Sequence, residues 1–139
     1  MKVSHLHERK NGWIAGDFDG ALIRMKEAEA AVQHYVQGAS EPWHVHKVAT
    51  EITVVVQGTV EMFHGRYNAG AIILLEPGEG TSFKALTDAV TVVFKTPSIP
   101  SDKHTRADVE KEEREATLKQ NAVDELVRET ERLELYGKK

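Results

Sequence analysis

Two histidines separated by one residue, His44 and His46, are followed five positions later by Glu51. On an extended chain, side chains two residues apart project the same way, so both imidazoles can face one point. Imidazoles on one side of a strand can share a metal ion as adjacent ligands. Glu51 lies too far along for simple alternation, so a bend after His46 must return its carboxylate. Two neutral imidazoles and a carboxylate are the facial set of non-haem Fe(II) oxygenases, with positions left open for substrate. The same groups could instead act as acid or base, or hydrogen-bond a ligand, with no metal.

A frame of strands must position them. Before about Pro100, short β-rich runs are punctuated by glycine, among them Gly38, Gly58, Gly65, Gly70 and Gly78. Such spacing points to a sandwich or barrel. Residues 27–36 alternate, placing Ala28, Ala30, Val32, His34 and Val36 on one face, which reads as the core side. Glu27, Glu29, Gln33 and Tyr35 fall on the other. Propensity alone would make residues 21–36 a helix, being rich in Ala, Glu, Lys and Met; the alternation favours a strand. Residues 52–56 are β-branched throughout and predict a strand. Gln57-Gly58 then predicts a hairpin turn into residues 59–64. Residues 71–75 and 89–95 predict two further strands, and Pro97 with Pro100 closes the β section.

From about Thr105 there is no Gly or Pro until Gly137, and Glu, Lys, Arg, Ala and Leu dominate. That stretch predicts one long helix. Leu118, Ala122, Leu126 and Leu133, flanked by Val123 and Val127, form an apolar stripe suited to lying on a barrel or pairing with a second subunit. The organisation expected is a β domain over residues 1–102 and a charged helical extension over 103–139.

Composition narrows the partners. At 139 residues the chain fits one core-forming domain. A net charge of -4 advertises neither nucleic acid nor an anionic membrane as partner. Acidic residues are at least as frequent as basic ones in the terminal helix, so attraction to phosphates largely cancels there. Cysteine is absent, which removes disulfides, thiolate metal sites and thiol nucleophiles. No secretory signal or membrane-length apolar run is present, and a soluble cytoplasmic protein is expected.

The segment over residues 38–58 resembles the first motif of the cupin superfamily. That motif is Gly, five residues, His-x-His, three or four residues, Glu, six residues, Gly; Gly38, His44, His46, Glu51 and Gly58 stand at those spacings. The resemblance covers roughly residues 32–97 and implies an all-β antiparallel barrel of the cupin type (a double-stranded β-helix, or jelly roll), here with a long C-terminal α-helix. It also implies that His44, His46 and Glu51 bind a divalent metal, typically iron, manganese, nickel or zinc. The second motif departs from the pattern. Gly70 and Gly78 fit, the proline is displaced to Pro77, and Thr81 stands where a third metal-binding histidine belongs. The His44-Val45-His46-Lys47 run is similar to that of metal-free nucleotide-sugar ketoisomerases of the superfamily, which usually lack the glutamate.

Three readings of the site follow. A metal sits on His44, His46 and Glu51 with water or substrate completing its shell; or His34 or His64 replaces the missing ligand; or no metal binds. His34, Thr81 and Phe83 are candidates to shape a substrate pocket, and Trp43 to line its mouth. His64 is expected in a hairpin turn, and His5, His7 and His104 at the surface. The function expected is a small-molecule cupin acting as a metal-dependent dioxygenase or isomerase, as a homodimer. The alternatives are a non-catalytic binding or sensing module without metal, and an assembly role through the helix.

Overall fold

The computed structural model describes residues 1–137; Lys138 and Lys139, the end of the expected extension, lie outside the described residues. Eleven strands are found among them: β1 (Trp13–Gly16), β2 (Ile23–Arg24), β3 (Glu29–Tyr35), β4 (Ser40–Val45), β5 (Thr50–Gln57), β6 (Thr59–Met62), β7 (Gly65–Asn68), β8 (Ile72–Leu75), β9 (Thr81–Ala85), β10 (Ala89–Thr96) and β11 (His104–Thr105). Short 3-10 turns at Leu6–Glu8 and Lys10–Gly12 precede them, and helix α1 (Arg106–Gly137) follows.

The strands form two sheets. One has the order β2-β1-β3-β10-β5-β8 and the other β11-β4-β9-β6-β7. All pairings are antiparallel except that of the two-residue β2 with β1. Val55, Ile73, Leu75 and Ala89 of the first sheet pack with Val60, Met62, Phe83 and Ala85 of the second in one buried cluster. This is the double-stranded β-helix. Contacts divide the chain into a β unit, Met1–Thr105, and a helical one beginning at Arg106. Strand β11 extends the second sheet beyond Pro100, where the prolines were expected to end it.

Two sequence expectations are corrected. Gln57-Gly58 is no hairpin turn, because β5 and β6 belong to different sheets and do not pair. Gly58 carries the crossover with φ of +82°, and a side chain there would strike the Asp88 carbonyl. The hairpin joins β6 to β7 through Phe63 and His64, both at positive φ, the conformation of a tight two-residue turn. The second correction is the face of β3. Ala31 is buried, Glu29, Gln33 and Tyr35 are partly buried, and His34 and Val36 are exposed. The polar face of this strand therefore points inward, because the barrel interior is a site as well as a core.

Register fixes what lines each side of the first sheet. Inward rungs run Glu29–Lys95–Glu51–Leu75 and Ala31–Val93–Thr53–Ile73 across β3, β10, β5 and β8. Outward rungs run Ala30–Phe94–Ile52–Leu74 and Val32–Val92–Val54–Ile72. Thus the uniformly apolar face of β5 is the outward one, and Phe94, Leu74 and Ile72 beside it are exposed. Helix α1, taken by itself, has no buried residue; Leu118, Leu126 and Leu133 of its stripe are all exposed. No helix among the described residues is long and apolar enough to cross a membrane.

Candidate metal centre

His44 stands near the end of β4, His46 just beyond it, and Glu51 at the second position of β5. The intervening loop makes the bend that the spacing demands. It brings the ligand atoms of His44, His46 and Glu51 within 4.8 Å of one another. The His44 and His46 rings meet edge to face at 5.2 Å, so neither covers the other's nitrogens.

Hydrogen bonds fix the tautomers. A carbonyl can only accept, so His46 Nδ1, 2.8 Å from the Asp102 carbonyl oxygen, carries the proton. In the neutral ring Nε2 is then a bare lone pair. That lone pair is buried, 3.1 Å from Glu51 Oε2, yet has no hydrogen-bond partner. His44 Nδ1 lies 3.3 Å from the Pro42 carbonyl, a longer contact that favours the same tautomer. Burial first, then the Lys103 charge, holds the His44 ring below its usual pKa and keeps it neutral.

Glu51 is oriented by the Thr53 hydroxyl, which donates to Oε1 at 2.9 Å. Burial pushes the Glu51 carboxyl up, but contacts with His46 and Thr53 outweigh it, with help from the His46 and Lys95 charges. The net shift is downward and the carboxylate is ionised. His46 Nε2 and Glu51 Oε2 thus sit 3.1 Å apart. Ligand atoms at right angles on a metal, each ~2.1 Å from it, are ~3 Å apart. The residues present fit a divalent ion as N, N and O donors.

Around this centre lies a half-open cavity of ≈ 1220 Å³, lined by both sheets and by the segment that precedes β1. On one side Lys95 pairs with Glu29, lies 4.7 Å over the Trp13 ring, and is itself largely buried. Ser98 ties Glu29 to the Asp17 amide. On another, the Tyr35 hydroxyl lies 2.8 Å from Gln33 Oε1 and 3.0 Å from Glu41 Oε1. Burial first, then the Glu41 carboxylate, raises the Tyr35 pKa, so the phenol keeps its proton.

The other candidates are distributed differently. Thr81 pairs in register with His44 and is buried. Its hydroxyl accepts the Phe63 N–H and donates to the Ser82 carbonyl, which commits it to the β6–β7 turn. Phe83 is buried and leans on Tyr35 with ring centroids 4.5 Å apart, forming a wall of the cavity. His34 borders the cavity but is exposed, on the face of β3 opposite Tyr35, and His64 is exposed in its turn. Neither joins the cluster of His44, His46 and Glu51. Trp43 packs against Gly80, where a Cβ would collide with the indole, and is absent from the cavity lining. His104, expected at the surface, is partly buried in β11 beside Val45.

Sequence reasoning missed Lys95, Glu29, Tyr35, Glu41 and Asp102. Lys95 had a signal, since Thr91, Val93 and Lys95 share one face of an apolar strand. Asp102 had none, being 51 residues from Glu51 in a proline-bounded loop.

No protein-family model matches the sequence, and no curated protein matches it at a significant level. Solved structures do resemble it. A DMSP lyase, DddQ, from Ruegeria pomeroyi is 16% identical at a TM-score of 0.55, over 66% of this chain and 49% of that one. An RmlC-like cupin from Shewanella frigidimarina is 18% identical at 0.51, over 54% and 70%. A conserved protein with a double-stranded β-helix domain from Klebsiella pneumoniae is 21% identical at 0.50, over 53% and 66%. At these identities the likeness is one of fold.

Proposed function

From the premise that the chain has the cupin fold, we propose that its barrel holds a divalent first-row metal on His44, His46 and Glu51 and acts on a small molecule bound in the lumen. The observation that carries this is the convergence of the His44, His46 and Glu51 ligand atoms within 4.8 Å, with the buried His46 Nε2 making no hydrogen bond although it lies 3.1 Å from Glu51 Oε2. An unpaired buried acceptor facing a carboxylate is costly unless a cation lies between them. Lys95 does not supply that cation, because its ammonium is held by Glu29.

Bound there, the metal would polarise an oxygen of the ligand, as a Lewis acid, in an isomerase- or oxygenase-like reaction. The chain's own residues would do the rest. The Tyr35 hydroxyl, whose one proton goes to Gln33 or Glu41, would accept a hydrogen bond from the ligand. Phe83 and Trp13 would supply apolar walls, and the Glu29–Lys95 pair a fixed polar edge. Iron, manganese, nickel and zinc all suit two imidazoles and a carboxylate.

The test is elemental analysis of protein made without a metal-affinity tag. Near-stoichiometric divalent metal is expected, and loss of it in His44→Ala/His46→Ala. Metal-free wild type would overturn the metal reading. If that double variant then also lost a ligand-induced melting shift, the barrel would be a metal-free binding module. That second reading draws on Thr81, whose committed hydroxyl leaves three ligands rather than four. As partner we propose a second copy of the chain, seated on the outward apolar rungs of the first sheet. Contiguous exposed apolar faces of this kind mark association surfaces.

A further inference from the structure

Residue 102 lies far from the site in sequence but closes it in space. The Asp102 side chain is buried, with 4% of its surface exposed. Its Oδ1 accepts the N–H groups of Lys47 (2.9 Å) and Val48 (3.1 Å), and its Oδ2 those of Val48 (3.1 Å) and Ala49 (2.8 Å). Three consecutive amides therefore converge on one carboxylate, the pattern of a backbone anion nest. These amides belong to the loop that carries the chain from His46 round to Glu51. The backbone carbonyl of the same residue accepts the His46 Nδ1 proton at 2.8 Å. His46 is pinned a second time through its own carbonyl, which accepts the Gly78 N–H at 2.8 Å.

The two halves of Asp102 act on one object. The carboxylate grips the loop on one side of His46, and that grip places the carbonyl against the ring. A buried carboxylate is costly unless hydrogen-bonded, and charge-assisted bonds to backbone amides are the strong kind. A neutral side chain cannot meet all three amides. Asparagine would turn an N–H₂ toward at least one of them, donor against donor.

We infer that Asp102 is a positioning residue for the metal centre: its carboxylate clamps residues 47–49 and so holds its own carbonyl where it fixes the His46 tautomer and aims Nε2 toward Glu51. The assignment rests on the metal reading for its functional meaning, but its structural content does not need the metal. Outer partners of histidine ligands typically contribute 10–100-fold to metal affinity.

The experiment uses the full chain with Asp102→Ala and, as the variant that better preserves volume, Asp102→Asn, each checked for folding by circular dichroism. In metal-free protein, imidazole ¹⁵N shifts report the tautomer directly. Wild-type His46 should show the Nδ1–H form, and both variants a mixture, with His44 unchanged as the internal control. Titration with Co²⁺ should then show about 10–100-fold weaker binding in the variants and an altered visible spectrum. A His46 tautomer that is unchanged in the folded variants, with Co²⁺ affinity and spectrum unchanged, would overturn the assignment. Wild type that takes up no Co²⁺ would sink the proposed function alone, because the tautomer measurement would still decide the role of Asp102.

Discussion

The two ends of the barrel lumen are built by the same alternation and hold opposite chemistry. Along β5 the inward residues run Glu51, Thr53, Val55. At the Val55 end the neighbours are Val60, Ile73, Ala85 and Ala89, a closed apolar plug with Val55, Val60 and Ala85 fully buried. At the Glu51 end they are His46, Lys95 and Glu29, each buried polar group held by a named partner or left facing another. The plug needs no specific partners, because burial of apolar area is favourable however the side chains meet. The polar end is favourable only as a satisfied set. Stability should therefore reside at one end and chemistry at the other.

The largest break of that contrast is at the plug. Ile73→Ala should cost about 2–5 kcal/mol, the range for deleting a buried isoleucine's methyls and leaving a cavity. Chemical denaturation measures this, and the folded fraction should keep its metal content unchanged. Next comes Thr53→Val, which keeps shape but removes the hydroxyl that orients Glu51. Loss of a hydrogen bond to a charged group should cost about 1.5–3 kcal/mol and, unlike the plug variant, lower metal occupancy. Equal effects of both variants on metal would refute the division of labour.

How much of this was legible in the sequence follows the same division. The spacing of His44, His46 and Glu51 announced that these side chains could cluster, because the elements that carry them are local, two consecutive strands and the loop between. The β-branched run of β5 announced a strand but not which face is inward, since the outward Ile52, Val54 and Val56 are more apolar than the inward Glu51 and Thr53. On β3 the apolar face was taken as the core, yet Glu29, Gln33 and Tyr35 face the lumen; hydrophobic periodicity misreads a strand that lines a polar cavity. Gln57-Gly58 looked like a hairpin because glycine at positive φ serves a sheet-to-sheet crossover equally well. Asp102 could not be seen, because its partners are backbone amides, which have no sequence identity.

Acidification should erode the polar end in a graded way. Burial raises the Asp102 carboxyl, but the amide bonds from Ala49, Lys47 and Val48 outweigh it and leave its pKa below the ordinary aspartate value. A folded pKa below the unfolded one means that stability from this group is fully present above about pH 4 and falls as pH drops through the folded value. Glu51, also lowered, works in the same direction. Stability measured from pH 6 down to pH 2 should fall more gently in Asp102→Asn than in wild type. Parallel curves would show that the clamp carries no linked proton.

The smallest effect on stability is expected on the outside of the same strands. Leu74 and Ile72 are 55% and 71% exposed, although their sequence environment matches that of buried Ile73. Substitution at exposed positions usually changes stability by no more than about 0.5 kcal/mol. Leu74→Lys should therefore leave the denaturation midpoint nearly unmoved, in contrast to Ile73→Ala one position away. What it should change is association, by placing an ammonium in the apolar rung Ala30–Phe94–Ile52–Leu74 that a second copy would cover. Light scattering coupled to size exclusion should find wild type as a dimer and Leu74→Lys as a monomer, with Leu126→Lys on the helix still dimeric. The reverse pattern would move the interface from the sheet to the helix stripe, and a monomeric wild type would leave the outward apolar face unexplained by self-association.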